Sequence, residues 1–151
     1  MVIDNYKRLQ NLIANLEGFL YELDIETSKI LFLAGKVEEI TGYLKEDFYE
    51  GRVSWMNLVY PDDLARIEEE KSNLLSIPGY IARNDYRVIN RSGDIRWVTD
   101  IATIMTHSEK TILQGFVQDI TERKKIEIEL KRREELLNSM FNSIQDGLSI
   151  L

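Results

Sequence analysis

Residues 115–125 read GFVQDITERKK, and the change of character within this stretch frames the whole chain. As far as Asp119 it alternates: Phe116 and Gln118 take one parity, Val117 and Asp119 the other. That is the period of a strand, whose successive side chains point to opposite faces. From Glu122 the residues are charged and helix-forming, with Arg123, Lys124 and Lys125 following directly. Neither Gly nor Pro intervenes after Gly115, so a sheet feeds straight into a helix. Asp119 and Thr121 stand at the junction. Either side chain can accept hydrogen bonds from the free N–H groups of a first helical turn, and Asp119 with Glu122 has the spacing of a capping box. They are read as caps, and also as the residues through which such a helix would respond to the sheet.

Downstream, Ile126, Leu130, Leu137, Met140 and Ile144 recur at heptad spacing if Arg133 fills one place. Glu127–Lys131 and Glu129–Arg133 are favourable i,i+4 pairs. The narrow seam with charged flanks points to a coiled coil between two chains; the alternative is a helix folded back on its own domain. Upstream, three strands are expected at 80–90, 95–106 and 111–120, separated by turns at 90–94 and 107–110. Ahead of them come an amphipathic helix over 2–16, strands FLYELDI (19–25) and KILFLAG (29–35), and short helical pieces over 36–58. A firmer helix opens at Pro61, with Asp62 and Asp63 in its first turn, and Pro78-Gly79 stops it. Two strands, a group of helices, then three strands make an α+β domain with one antiparallel sheet.

The composition narrows the chemistry. The 151 residues suffice for one domain with an extension, and 44% are hydrophobic and 30% charged. The net charge of −7 falls on residues 1–120, since the helical run from Thr121 to Leu137 holds six basic and five acidic residues. No basic face is available to neutralise phosphates, so nucleic acid is not an expected partner. No apolar run has the length of a membrane span, and there is no leader-like start, so a cytoplasmic location without membrane insertion is expected. Zero cysteines exclude disulfides and thiolate metal sites. The one histidine, His107, falls in a hairpin turn, so no metal site is expected. Asp62 and Asp63 could suggest an acid/base pair, but adjacent helical side chains diverge and no nucleophile accompanies them. The fragment is read as non-catalytic.

Four motifs in order resemble the PAS sensor family. They are ITGYLKEDF (40–48), LVYPDDLARI (58–67), RSGDIRWV (91–98), and LQGFVQDITERKK (113–125) with its Asp-Ile-Thr PAC signature at 119–121. The resemblance implies a PAS fold: a five-stranded antiparallel sheet with short helices on one face enclosing a pocket, an N-terminal amphipathic helix and a long C-terminal helix. It implies the organisation 1–17 helix, 18–121 PAS domain, 122–144 signalling linker, and 145–151 as the start of a second PAS domain. It also implies a module of a multidomain prokaryotic sensor, such as a histidine kinase of a two-component system or a cyclic-di-GMP enzyme.

The same resemblance directs Tyr86, Val88, Val98, Asp100, Ala102, Ile104, Leu113 and Val117 into the interior as ligand-binding candidates. It leaves Trp97, Phe116 and Ile112 on the outer face, where the helix over 2–16 would cover them and take part in a homodimer. No cofactor is expected. The positions that would hydrogen-bond a flavin are Val88, Val98 and Val117, and there is no flavin-linked cysteine. The helix that would carry a haem ligand has no histidine. A small ligand of other chemistry stays open, with Asp100 as its polar anchor or else paired with a nearby Arg or Tyr. The leading expectation is a sensory and dimerisation module that passes a signal through Asp119 and Thr121 to downstream domains. The alternative is a ligand-free structural spacer.

Overall fold

A computed structural model describes residues 2–150, with the side chains of 4–148. They divide into two units, Met1–Asp119 and Ile120–Leu151. The first unit begins with α1 (Val2–Ala14), followed by β1 (Gly18–Asp24) and β2 (Ile30–Gly35). The short helices α2 (Val37–Thr41), α3 (Lys45–Tyr49) and α4 (Trp55–Leu58) come next. A 3-10 turn, Pro61–Asp63, leads into α5 (Leu64–Ser76), and β3 (Ile81–Ile89), β4 (Ile95–His107) and β5 (Lys110–Asp119) complete the unit. The sheet is antiparallel throughout, in the order β2-β1-β5-β4-β3. This is the α+β architecture that the PAS resemblance implies, and it puts the last strand in the middle.

Register explains which side chains enter the core. Phe19 pairs with Val117, Val117 with Asp100, and Asp100 with Asn84. In the neighbouring row Tyr21 pairs with Gly115, Gly115 with Ala102, and Ala102 with Ala82. These rows share the face that meets the helices. Phe19, Leu33, Tyr86, Val88, Val98 and Val117 join Val37, Ile40, Phe48, Leu58 and Val59 in one buried cluster. A smaller cluster of Leu74, Ala82 and Ala102 lies at the other end. The turn after α2 requires Gly42, whose φ of 78° is left-handed and which lies against Arg91; the Arg91 N–H donates to the Thr41 carbonyl at 2.8 Å.

The exposed edge of β3 is closed by the Pro-Asp-Asp segment. Val59 forms a bridge with Val88, and the Tyr60 N–H donates to the Arg87 carbonyl at 2.8 Å. Asp63 Oδ2 accepts from the Arg87 N–H at 2.9 Å and from its Nε at 3.1 Å, while Oδ1 accepts from Nη2 at 2.9 Å. The guanidinium also stacks on Tyr60, 4.0 Å from the ring centroid. Asp63 is thus a structural clamp on an edge strand, while Asp62 is exposed.

Two features depart from the sequence reading. Tyr6, Leu9 and Leu12 of α1 are 63%, 56% and 65% exposed, and the helix has β2 as its principal neighbour. Among the described residues, these exposed side chains do not cover Phe116 and Trp97. The second unit is one helix, α6 (Thr121–Ile150), so residues 145–150, expected to start another domain with a strand, are helical. A solitary strand has no ladder partner, whereas a helix satisfies its own backbone. Leu151 lies outside the described residues.

Asp63→Ala is expected to destabilise the chain by about 2 kcal/mol, because it strips charged hydrogen bonds from a clamped edge. The Arg87 guanidinium holds the Asp63 carboxyl below its ordinary range. A depressed acid contributes stability above its unfolded pKa and loses it as pH falls through the folded one. The penalty should therefore be full at neutral pH and fade in acid. Urea unfolding at neutral and acidic pH measures both; equal penalties at the two would contradict the clamp.

Candidate functional site

The interior is organised around one carboxylate. Asp100 follows the fully buried Val98 on the inward face of β4, across the register from Val117 and Asn84. Its Oδ1 accepts from the Tyr21 hydroxyl at 2.9 Å and its Oδ2 from the Tyr86 hydroxyl at 2.7 Å. Tyr86 in turn accepts from the Trp55 indole N–H at 2.8 Å. Strands β1, β3 and β4 and helix α4 are thereby joined through polar atoms inside an apolar core. Among the described residues no Lys or Arg pairs with Asp100.

Each partner is placed by a local feature of the chain. Tyr21 can reach Asp100 because it crosses a row of small residues, Gly115, Ala102 and Ala82. A Cβ on Gly115 would stand 2.5 Å from the Tyr21 ring carbon Cζ and from its hydroxyl oxygen. Even alanine there would displace the ring, so Gly115 serves a close approach rather than an unusual backbone angle. Trp55 is held by edge contacts, 5.4 Å from the Phe19 centroid and 6.5 Å from that of Tyr86.

The electrostatics follow from burial. Asp100 is half-buried as a residue, yet its carboxyl lies among protein atoms, and these surroundings govern its titration. Desolvation pushes its pKa up, and the hydrogen bonds from Tyr86 and Tyr21 pull only partly back. Burial, and then the Asp100 charge, push both phenols well above the ordinary tyrosine range, so they remain protonated donors.

Of the eight interior candidates, Tyr86, Val88, Val98 and Val117 come together in the main cluster with exposures of 2%, 0%, 0% and 1%. Phe19 and Trp55 pack with them in that cluster. Ala102 belongs to the smaller cluster, against which Ile104 and Leu113 pack. Ile104 and Leu113 also line, with Leu23, Ile25 and Leu74, a cavity of about 30 Å³, room for little more than a water molecule. An open cleft of about 250 Å³ follows the end of α5 and the chain beyond it, from Leu74 to Tyr80. The residues do not fit a flavin, whose polar ring edge would meet three packed valines and lose about 1–3 kcal/mol for each unpaired group.

Sequence reasoning left Tyr21, Trp55 and Gly115 out of this site. Gly115 was the available signal, since a glycine inside a strand marks a close approach.

At the end of β5, Asp119 Oδ2 accepts from Arg96 Nη2 at 2.5 Å, and the Asp119 N–H donates to the Glu17 carbonyl at 3.0 Å. Arg96 Nε is buried without a partner among the described residues, so the pair retains an unmet donor. The strand ends at Asp119, one residue earlier than the expected 111–120. In α6 the Lys124 N–H donates to the Ile120 carbonyl at 2.9 Å. Ile120 therefore holds the N-cap position and Thr121 is the first helical residue, leaving Asp119 just outside the helix.

A family model described as PAS fold matches residues 30–117, more than half of the chain. A methyl sulfide methyltransferase-associated sensor of Methanosarcina acetivorans is 35% identical over 99 residues, or 64% of this chain. The chain spans 10% of that relative's length. A sensory box histidine kinase/response regulator from Burkholderia thailandensis has a TM-score of 0.70 and 25% identity, covering 87% of this chain and 98% of that one. The N-terminal domain of a diguanylate cyclase with PAS/PAC sensor, from Marinobacter aquaeolei, gives 0.60 at 19% identity, covering 71% and 98% respectively.

The raised Asp100 pKa fixes the sign of a pH effect. A group whose folded pKa exceeds its unfolded value contributes most below the unfolded pKa, and that contribution is lost as pH rises through the folded one. Asp100→Asn should remove this fall in stability with rising pH while keeping an acceptor and a similar shape. Denaturant unfolding across acidic to neutral pH tests it. A variant that kept the full wild-type slope would show that other groups set the dependence.

Proposed function

The chain belongs to the PAS fold family, and from that premise we propose that it is a sensory module of a longer signalling protein. Its relatives and structural neighbours include PAS sensor domains of a histidine kinase and of a diguanylate cyclase. In this reading the module is non-catalytic and works in the cytoplasm. It passes a conformational signal from the sheet to a C-terminal output domain, a histidine kinase or a cyclic-di-GMP enzyme. No helix among the described residues is long and apolar enough to cross a membrane.

The observation that carries the reading is the fastening of Asp119. It is the last residue of the central strand, it is paired with Arg96 of β4, and it immediately precedes the N-cap of α6. A change in the sheet that disturbs this pair alters the residue from which the helix departs, which is the proposed relay, with Thr121 as the first helical residue beside it. The proposed assembly is a homodimer through α1 and α6. In support, Ile126, Leu130, Leu137, Met140 and Ile144 are 55–65% exposed along α6 at heptad spacing. Arg133, which interrupts the seam, is engaged within the helix by Glu129 at 3.2 Å.

The alternative, a spacer that senses nothing, draws support from the packing of Val88, Val98 and Val117. The two readings differ in coupling. A relay requires that the first turn of α6 respond to Asp119, and a cap-sized interaction is worth about 1 kcal/mol, roughly fivefold in an opening equilibrium. Asp119→Ala should therefore speed hydrogen exchange of the amides at 121–126 about fivefold while leaving β1, β4 and β5 protected. Unchanged exchange in that turn would favour the spacer.

A further inference from the structure

We infer that the Asp100 carboxyl is a proton-binding input site of this module and that Tyr21 is the arm it moves. The inference rests on the bookkeeping of hydrogen-bond donors in the core. An ionised carboxylate only accepts, and here each oxygen has one phenol donor. When a proton from solvent binds, an O–H bond forms on one carboxyl oxygen, which becomes a donor. The protonated oxygen can still accept, but with the phenols as its only neighbours its new hydrogen finds an acceptor only if the phenol facing it turns to accept.

The two phenols are not equivalent in this exchange. Trp55 Nε1 is a donor and nothing else, and its contact with the Tyr86 oxygen obliges Tyr86 to turn its own hydrogen toward Asp100 Oδ2. A proton on Oδ2 would make the Tyr86 oxygen accept twice and leave its hydrogen pointing into the core. Tyr86 is 2% exposed among Val88, Val98 and Phe19, so that hydrogen would find no partner. Among the described residues Tyr21 makes no second hydrogen bond, so nothing but Asp100 holds its hydroxyl, although that hydroxyl, like that of Tyr86, lies among protein atoms. Its oxygen can accept from Oδ1–H while its hydrogen turns away. The proton therefore goes to Oδ1, and the bond that reverses is the one to Tyr21.

The consequence travels to β5. The Tyr21 ring lies directly on Gly115, four residues ahead of Asp119. A change in how the phenol is held is thus felt by the central strand, with no side chain at 115 to buffer it.

Among the described residues no other charge competes for control of Asp100. The titratable groups acting on it are Tyr86 from β3 and Tyr21 from β1. Its register neighbours Asn84 and Val117 are uncharged, and α5, packed on the same core through Leu64 and Ile67, contributes no charge to it. The upward displacement of its pKa by burial supports the assignment.

This reading deepens the sensory role and depends on it for its physiological meaning, but its test is made on the chain itself. NMR titration would follow the Asp100 carboxyl carbon, the Tyr21 ring, the Gly115 amide and the Trp55 indole N–H. The expected result is one midpoint, above the ordinary Asp value of about 3.9, shared by Asp100, Tyr21 and Gly115, with a smaller response at Trp55. Asp100→Asn should abolish the shared transition. Tyr21→Phe, which keeps the ring, should raise the Asp100 midpoint further and reduce the Gly115 response at least twofold. An Asp100 midpoint at or below the ordinary value would overturn the inference, as would a Trp55 response larger than that of Tyr21. Either failure removes the proton as input and leaves the Asp119 relay standing, because that relay is tested separately by exchange in the first turn of α6.

Discussion

A carboxylate without a cation, held inside an apolar core, is the constraint on which the rest of this domain depends. Asp100 can be tolerated there only if both oxygens are supplied with donors, since an unpaired buried charge costs several kcal/mol. Tyr21 and Tyr86 supply them from β1 and β3. Those strands do not pair with one another in the sheet; β5 and β4 lie between them. The hydrogen bonds thus span the sheet where the ladder does not. They also explain two choices that look arbitrary in sequence: a glycine in the middle of the central strand, and a tryptophan at the start of a four-residue helix.

Other polar anchors govern the margins. Asp63 clamps the free edge of β3 through Arg87, and Asp119 ties the end of β5 to β4 through Arg96. The three aspartates play different roles because their surroundings differ. Asp63 meets a guanidinium and is acidified, whereas Asp100 is made more basic by desolvation, which hydrogen bonds from neutral phenols only partly offset. Near the end of β5 the Arg96–Asp119 pair lies close to the point where the chain leaves the sheet, which is where the proposed relay would act.

Much of the architecture was legible because it is written in short-range pattern. The turns at 90–94 and 107–110 and the break at Pro78-Gly79 gave the last three strands nearly to the residue. The PAS resemblance directed Val88, Val98, Val117 and Asp100 to one face. What could not be read was occupancy. Parity gives the direction of a side chain but not whether Trp55, from a segment with no clear period, fills the space in front of it. Nor could pattern reveal that Tyr21 crosses to Asp100, a bond between residues 79 positions apart. The position of α1 was misjudged for a related reason: an apolar stripe shows that a helix has a face to bury, not what covers it. At the C-terminal end, the strand-like reading of residues 145–150 gave way to continued helix, because local backbone satisfaction decides where no pairing strand is present.

The most direct test of this account is a double-mutant cycle on Tyr21→Phe and Asp100→Asn, measured by urea unfolding at neutral pH. If the buried carboxylate and its phenol donor act as a unit, the double variant should depart from the sum of the single ones by more than about 0.5 kcal/mol. Additivity within that margin would mean that Tyr21 and Asp100 contribute independently, and that the buried carboxylate does not tie β1 into the core.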